Sequence, residues 1–282
     1  MVLPKPRSDV LRTLAYADIF DYPLTLTEID HWLISSSVIT SLSGKITKTN
    51  GYYTLTNRSH LIKLRQARSR FSQEKLQLAR RVGEWLKSIP TIKLVAVTGA
   101  LAMRNSDPND DIDLMIVTSP NTLWFTRVLV VPLVSLIAKR RKPETSRYQL
   151  DASRYSVGAS SAYSNSICLN LWLDTTALAV PPPKRNLYTA HEVAQVKPLW
   201  SRTDAHHRFL SANSWIKSYL PNIKIKSTSE VARLSRAQSR ETPRTVSWLN
   251  QLAFRLQLWY MRPRLTRETV TLHAAFFHPR DN

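Results

Sequence analysis

Four aspartates, Asp107, Asp110, Asp111 and Asp113, fall within seven positions of a chain whose basic residues outnumber its acidic ones two to one. They lie in the stretch TGALAMRNSDPNDDIDLMIVT, residues 98–118, with apolar segments on both sides. The run Leu94-Val95-Ala96-Val97 before them reads as a short strand. Gly99 then stands at a strand-to-helix corner, where backbone can approach a ligand closely. Residues 100–104 are good helix formers, and the free N–H groups opening such a helix favour an anion. After the turn Ser106-Asp107-Pro108-Asn109, residues 111–117 read as a second strand. Its side chains alternate, so Asp111 and Asp113 project to one side while Ile112 and Leu114 enter the core. Two carboxylates on one strand beside an anion-binding corner suit Mg²⁺ bridged to phosphates, because magnesium commonly takes one or two carboxylates plus phosphate oxygens and water. Asp107 and Asp110 read as turn and strand-entry residues.

At these residues the chain resembles the nucleotidyltransferase superfamily of DNA polymerase beta type. The hallmark of that superfamily is a Gly-Ser at a strand–helix corner followed by Asp-x-Asp on the next strand. Here the counterparts are Gly99-Ala100 and Asp111-Ile112-Asp113. More loosely, the whole chain resembles bacterial nucleotidyltransferase-domain proteins with an N-terminal winged helix. The resemblance implies transfer of a nucleoside monophosphate from a nucleoside triphosphate to an acceptor hydroxyl, with release of pyrophosphate. Asp111 and Asp113 would hold Mg²⁺ or Mn²⁺ and neutralise charge developing at the α-phosphate. Thr98, Gly99, Ala100 and Ser106 would surround the triphosphate, with Thr98 or Ser106 replacing the hydroxyl missing at Ala100. The family's third carboxylate comes from a later strand. On SICLNLWLD, positions 168, 170, 172 and 174 share a face; Asn170 is mid-strand and Asp174 is at the end. An asparagine can accept a hydrogen bond or weakly ligate a metal but cannot act as a base; the third position falls to Asn170 or to Asp174, the latter being the candidate catalytic carboxylate. The alternative is a degenerate fold of this type that binds nucleotide or nucleic acid as a regulatory module.

The elements that must position these residues read as an α+β fold in three parts. Residues 1–57 form a winged-helix-like module, 58–180 a nucleotidyltransferase-type mixed sheet flanked by helices, and 181–282 a helical region. In the first part a helix is expected over 8–20, and a second, capped by Thr25 or Thr27, runs through Ile29, Trp32 and Leu33. A short third helix is expected over 36–42, and Asn50-Gly51 joins two strands in a hairpin. The candidate recognition helix, SSVITSLSGK, is poor in arginine. A long amphipathic helix follows over 58–89, with Leu61, Leu64, Phe71, Leu78, Val82, Trp85 and Ile89 as its stripe. Arg65, Arg68, Arg70, Arg80 and Arg81 lie largely off that stripe, as on a solvated face. Residues 121–138 read as a buried helix bent at Pro132, and KRRK at 139–142 opens a basic loop. The prolines at 181–183 mark a boundary. Helices are expected over 190–197, 204–219 and 246–261, with Trp248, Phe254, Leu258 and Trp259 as core, and a basic connector over 224–244.

Composition narrows the partners. Net charge is +20, and residues 181–282 hold 17 basic against 6 acidic residues. Such a surface favours a polyanion, RNA, DNA or a nucleotide. The single cysteine, Cys168, excludes a disulfide framework and a Cys-rich zinc site. Charges at Asp9, Arg12 and Asp18 interrupt the N-terminal apolar pattern, which is unlike a secretory signal. The most apolar run, 128–138, is well short of the roughly 20 residues that span a bilayer. These features describe a soluble cytoplasmic protein with no membrane partner. YTAHEVAQ lacks the second histidine of a helix-borne zinc motif, since residue 195 is Gln. It reads instead as a capping box from Thr189 to Glu192. His206, His207 and His278 read as solvated or packing residues.

Overall fold

The computed structural model describes residues 7–35, 46–138, 165–226, 244–265 and 268–277. The expected helix at 36–42, the basic loop from 139 to 164 with its KRRK run, most of the 224–244 connector and His278 lie outside the described residues.

The architecture is mixed α+β. The chain opens with α1 (Arg7–Asp18), β1 (Leu24–Thr25), α2 (Leu26–His31), β2 (Ile46–Thr49) and β3 (Tyr52–Leu55). Thr25 caps α2 in a capping box closed by the Glu28 carboxylate, which satisfies orphan N–H groups at both ends of the motif. Asn50 and Gly51 both take positive φ, 49° and 81°, as a tight two-residue hairpin requires. The three short strands form an antiparallel sheet in the order β1-β3-β2.

Helix α3 (Leu61–Leu86) leads to the larger sheet. Its members are β4 (Ile92–Val97), β5 (Ile112–Thr118), β6 (Ile167–Asp174), β7 (Lys197–Ser201), β8 (Thr269–Val270) and β9 (Ala274–Phe276), in the order β7-β4-β5-β6-β9-β8. Only the β5–β6 pairing is parallel. Alternation along β4 and β5 divides the core. Leu94, Ala96, Met115 and Val117 join the residues of the N-terminal module on one face. Val95, Val97, Ile112, Leu114 and Ile116 pack with α3 and α5 (Leu123–Ile137) on the other. Helix α4 (Gly99–Ala102) is a single turn between β4 and β5, shorter than the 100–104 run suggests.

The C-terminal third departs from the helical reading. It supplies α6 (Leu187–Ala194), α7 (Ala205–Ala212) and α8 (Arg244–Met261), but also three strands of the central sheet. β7 pairs with β4, and β9 pairs with β6. These strands span five residues or fewer, too few for alternation to be read. Pro198 is tolerated because β7 is an edge strand. Asn186, rather than Thr189, caps α6: its side chain accepts from the Thr189 N–H at 2.8 Å. No helix among the described residues is long and apolar enough to cross a membrane.

Helix α8 also reverses its expected orientation. Trp248 and Trp259 are 63% and 78% exposed, while Asn250 is fully buried. Only Phe254 of the aromatic trio packs inward, 5.1 Å from the Trp124 ring. The amides explain the rotation. Thr122 makes no side-chain cap at the start of α5, and the Asn250 carbonyl accepts from the Trp124 and Phe125 N–H groups at 2.7 and 3.1 Å. Gln257 adds a bond to the Trp124 carbonyl at 2.9 Å. Asn250→Ala leaves two buried donors unsatisfied, so we expect a loss of about 2 kcal/mol. That is roughly 4–8 °C in a thermal melt, whereas Trp259→Ser on the exposed face should leave the midpoint nearly unchanged.

Candidate functional site

The acidic turn is built from α3 upward. Lys75 is buried at 2% exposure on a helix face with Ser72, Ala79 and Gly83. Small neighbours let the turn come close. The Lys75 ammonium donates to the Asp107 carbonyl at 2.7 Å and to the Asp110 carbonyl. Burial pushes its pKa down, and Asp110, Asp111, Asp107 and Asp113, in that order, pull it back. Ser72 Oγ accepts the Ser106 N–H at 3.1 Å. Arg68 forks onto both oxygens of Asp107 at 3.1 and 2.9 Å, a bidentate arrangement that fixes angle as well as distance. The Asp110 carboxylate accepts the Asp107 N–H at 2.8 Å, and burial raises its pKa. Asp107 and Asp110 thus serve the turn, as the sequence suggests.

The two remaining aspartates sit where alternation puts them. Ile112 and Leu114 are fully buried, while Asp111 and Asp113 are half-buried on the opposite side. Thr98 donates its N–H to the Asp113 carbonyl at 3.1 Å, which brings the start of β5 against the Gly99 corner. Gly99 has φ +61°, a left-handed turn that an added β-carbon would strain.

Asp174 does not lie beside Asp111 and Asp113. Because β5 and β6 run parallel, Asp113 lies opposite Cys168 and Asp174 lies opposite Thr118, roughly 17 Å along the strand. Asp174 is fully buried and its oxygens are committed to the fold. They accept from the Asn121 N–H at 3.0 Å, the Thr176 N–H at 2.8 Å and the Thr176 hydroxyl. His273 Nδ1 lies 2.7 Å away. The residue beside the pair is Asn170, whose Nδ2 donates to Asp113 Oδ1 at 2.9 Å. A register shift between Leu114 and Met115 makes Asn170 the extra residue. That bulge breaks the expected face of 168, 170, 172 and 174: Trp172 turns to the α3 side and Leu171 and Leu173 to the other.

Ser106 is also corrected. It is fully buried and its hydroxyl donates to the Asp107 carbonyl at 3.3 Å, so that hydroxyl serves the turn rather than a ligand at the Gly99 corner. Thr98, 7% exposed, caps no N–H of α4. Gly99 and Ala100 face an apolar cavity of about 110 Å³ walled by Tyr16, Phe20, Trp32 and His191. His191 stacks on Tyr16 at 4.0 Å, and burial pulls its pKa down to about 4.

A metal fits the donors in part. Asp111 and Asp113 supply charge, and Asn170 Oδ1 is a buried oxygen with no hydrogen-bond partner among the described residues. No cluster of three or more His, Cys, Asp or Glu suited to a metal occurs among the described residues. Sequence reasoning misses Lys75, Arg65 and Arg68. The stripe it draws includes Phe71 and Trp85, which are 39% and 59% exposed, and it leaves the two arginines on a solvated face. Arg65 instead pairs with Glu28 and lies 4.1 Å over the Tyr22 ring.

Two measurements check this geometry. Lys75→Met strands two carbonyls, so chemical denaturation should show a loss of about 2–3 kcal/mol. His191 is less easily protonated folded than unfolded, so stability should fall as pH drops from about 6.5 to about 4, with a slope near 1.4 kcal/mol per pH unit. In His191→Phe that part of the slope should vanish. No protein-family model, curated protein or solved structure matches this chain.

Proposed function

We propose that the chain is a nucleotidyltransferase of the DNA polymerase beta type, acting through Asp111 and Asp113. The observation that carries this reading is their placement. Two half-buried carboxylates share one side at the start of β5, the Thr98–Gly99 corner is hydrogen-bonded to that strand, and a neutral oxygen of Asn170 is adjacent. The strand pattern around them, β4 antiparallel to β5 and β5 parallel to β6, supports the same reading. The N-terminal helices with their hairpin sheet support a winged-helix module.

In this reading Asp111, Asp113 and the Asn170 carbonyl hold Mg²⁺ or Mn²⁺. When bound, the metal polarises the α-phosphate of a nucleoside triphosphate. The acceptor hydroxyl oxygen bonds to the α-phosphorus and its proton passes to solvent, the bond to the α–β bridging oxygen breaks, and pyrophosphate leaves. The chain's own part is positioning. Lys75 fixes the turn, and Asn170 orients Asp113 through its amide hydrogen.

One observation favours a second reading. Asn170 occupies the place from which a third carboxylate would draw the acceptor's proton, and it cannot do so. A fold that retains the nucleotide and has lost transfer accounts for that residue.

The test offers α-labelled nucleoside triphosphates with Mg²⁺ or Mn²⁺ to RNA and to small hydroxyl acceptors. Transfer by the wild type should drop on the order of 100-fold or more in Asp111→Asn plus Asp113→Asn, and Asn170→Asp should raise it. Equal labelling by wild type and double variant overturns the enzyme reading. Metal-dependent nucleotide binding that needs both aspartates, without transfer, selects the second.

A further inference from the structure

Beside the helix face that carries Arg68 and Lys75, α3 presents a second polar face. Ser69, Gln73, Gln77 and Arg80 line a hollow of about 180 Å³ there, with Leu76 beneath and Arg104 across from them. Five of those six side chains end in hydrogen-bond donors and none is a carboxylate. Lys197, outside that lining, is a third cation within electrostatic reach of Arg80 and Arg104. It opens β7 and pairs with Val97, the residue before the Thr98–Gly99 corner. Burial first, then Arg104 and Arg80, lower its pKa, so the three charges feel one another. Among the described residues, none of Arg80, Arg104 and Lys197 forms an ion pair with a carboxylate.

Arg104 has φ +56°, a conformation that belongs to the end of α4: its N–H donates to the Leu101 carbonyl at 3.0 Å and the Asn105 N–H to the Ala100 carbonyl at 2.9 Å, the bonds of a left-handed helix cap. What is left without a carboxylate partner among the described residues is its guanidinium, and cations gathered in this way repel one another until an anion joins them. The donors suit a tetrahedral oxyanion with several acceptor oxygens.

We propose that this hollow binds a phosphate group, from a nucleotide or a nucleic-acid backbone, through Arg80, Arg104 and Lys197, with Ser69, Gln73 and Gln77 donating to its remaining oxygens. The net charge of +20 draws such polyanions to the surface. The site requires neither Asp111 nor Asp113, so its failure and that of nucleotidyl transfer are separate results.

Two probes, both without divalent metal, test it: ATP by calorimetry, and a fluorescein-labelled single-stranded RNA by anisotropy across a salt series. In Arg80→Gln plus Arg104→Asn, and in Lys197→Gln, binding of at least one probe should weaken about tenfold. For RNA the salt slope should flatten by about 0.7 per lost contact. Arg81→Gln, exposed and outside the hollow, should shift affinity less than twofold. Asparagine suits the left-handed backbone at 104, so the Arg104→Asn melting midpoint should hold or rise, which separates lost binding from lost folding. A loss confined to RNA assigns the site to a nucleic-acid backbone, and a loss confined to ATP assigns it to a free nucleotide. Equal binding of both probes by wild type and variants, or no binding by the wild type, overturns the proposal.

Discussion

Burying the Lys75 ammonium costs several kcal/mol unless its protons find acceptors and its charge finds opposite charge. The acidic turn supplies both. Two carbonyls of the turn accept its protons, and four aspartates surround it at Coulombic range. The dependence is mutual. Without the lysine, four carboxylates within seven residues would repel, and the carbonyls at 107 and 110 would face a helix with nothing to donate. Everything downstream inherits this contact, because the turn sets where β5 begins and hence where Asp111 and Asp113 emerge. The helix also answers for its own side. Ser72 and Ala79 are small enough for close approach, and Gly83 leaves Leu199 only ordinary contact distance to a hypothetical β-carbon, 3.4 Å.

The same helix ties the N-terminal module to the corner. Arg65 reaches Glu28 and the Pro23 carbonyl, and Arg68 spans from Asp107 toward the Phe20 carbonyl. Tyr22 donates to the Met103 carbonyl at 2.9 Å, and Asn105 to the Phe20 carbonyl at 2.9 Å. These bonds cross between parts of the chain more than eighty residues apart, so the module forms one wall of the cavity at Gly99 and Ala100. An alanine facing that cavity buries a methyl group against aromatic rings, where a serine hydroxyl would need a partner. Ala100 therefore has a packing reason in this chain.

Much of this was legible in the residues, and the failures have identifiable causes. Alternation around Ile112 and Leu114 places Asp111 and Asp113 on the opposite side because polar and apolar residues alternate strictly over 111–114, before both faces of β5 become buried. Asn50-Gly51 specifies its hairpin because few other residues take two successive positive φ values. Asp174 could not be placed from sequence, since a single bulge at Asn170 and a parallel register decide which end of β6 lies near Asp113. Helix α8 misleads because its inward amides cap another helix in trans, a demand no periodicity records. Lys75 was hidden by a stripe drawn through Phe71 and Trp85. The clue was the row Ser72, Ala79 and Gly83, whose small side chains mark the closely packed face better than the large ones do.

Charge is distributed around the corner in a way that bears on both proposals. On one side of the turn lie the half-buried Asp111 and Asp113, both of which act on the buried Lys75. On the adjoining side lie Arg80, Arg104 and Lys197, clear of the carboxylates that Arg68 and Lys75 engage. Under the two proposals together, a field that changes sign over one turn of backbone would orient an extended anion that carries its own cation, the metal-bearing end and the bare phosphate end preferring opposite sides. Arg68 engages the Asp107 carboxylate and Lys75 the carbonyls of the turn, so the same two cations that fix the turn also set where the pair at the start of β5 stands.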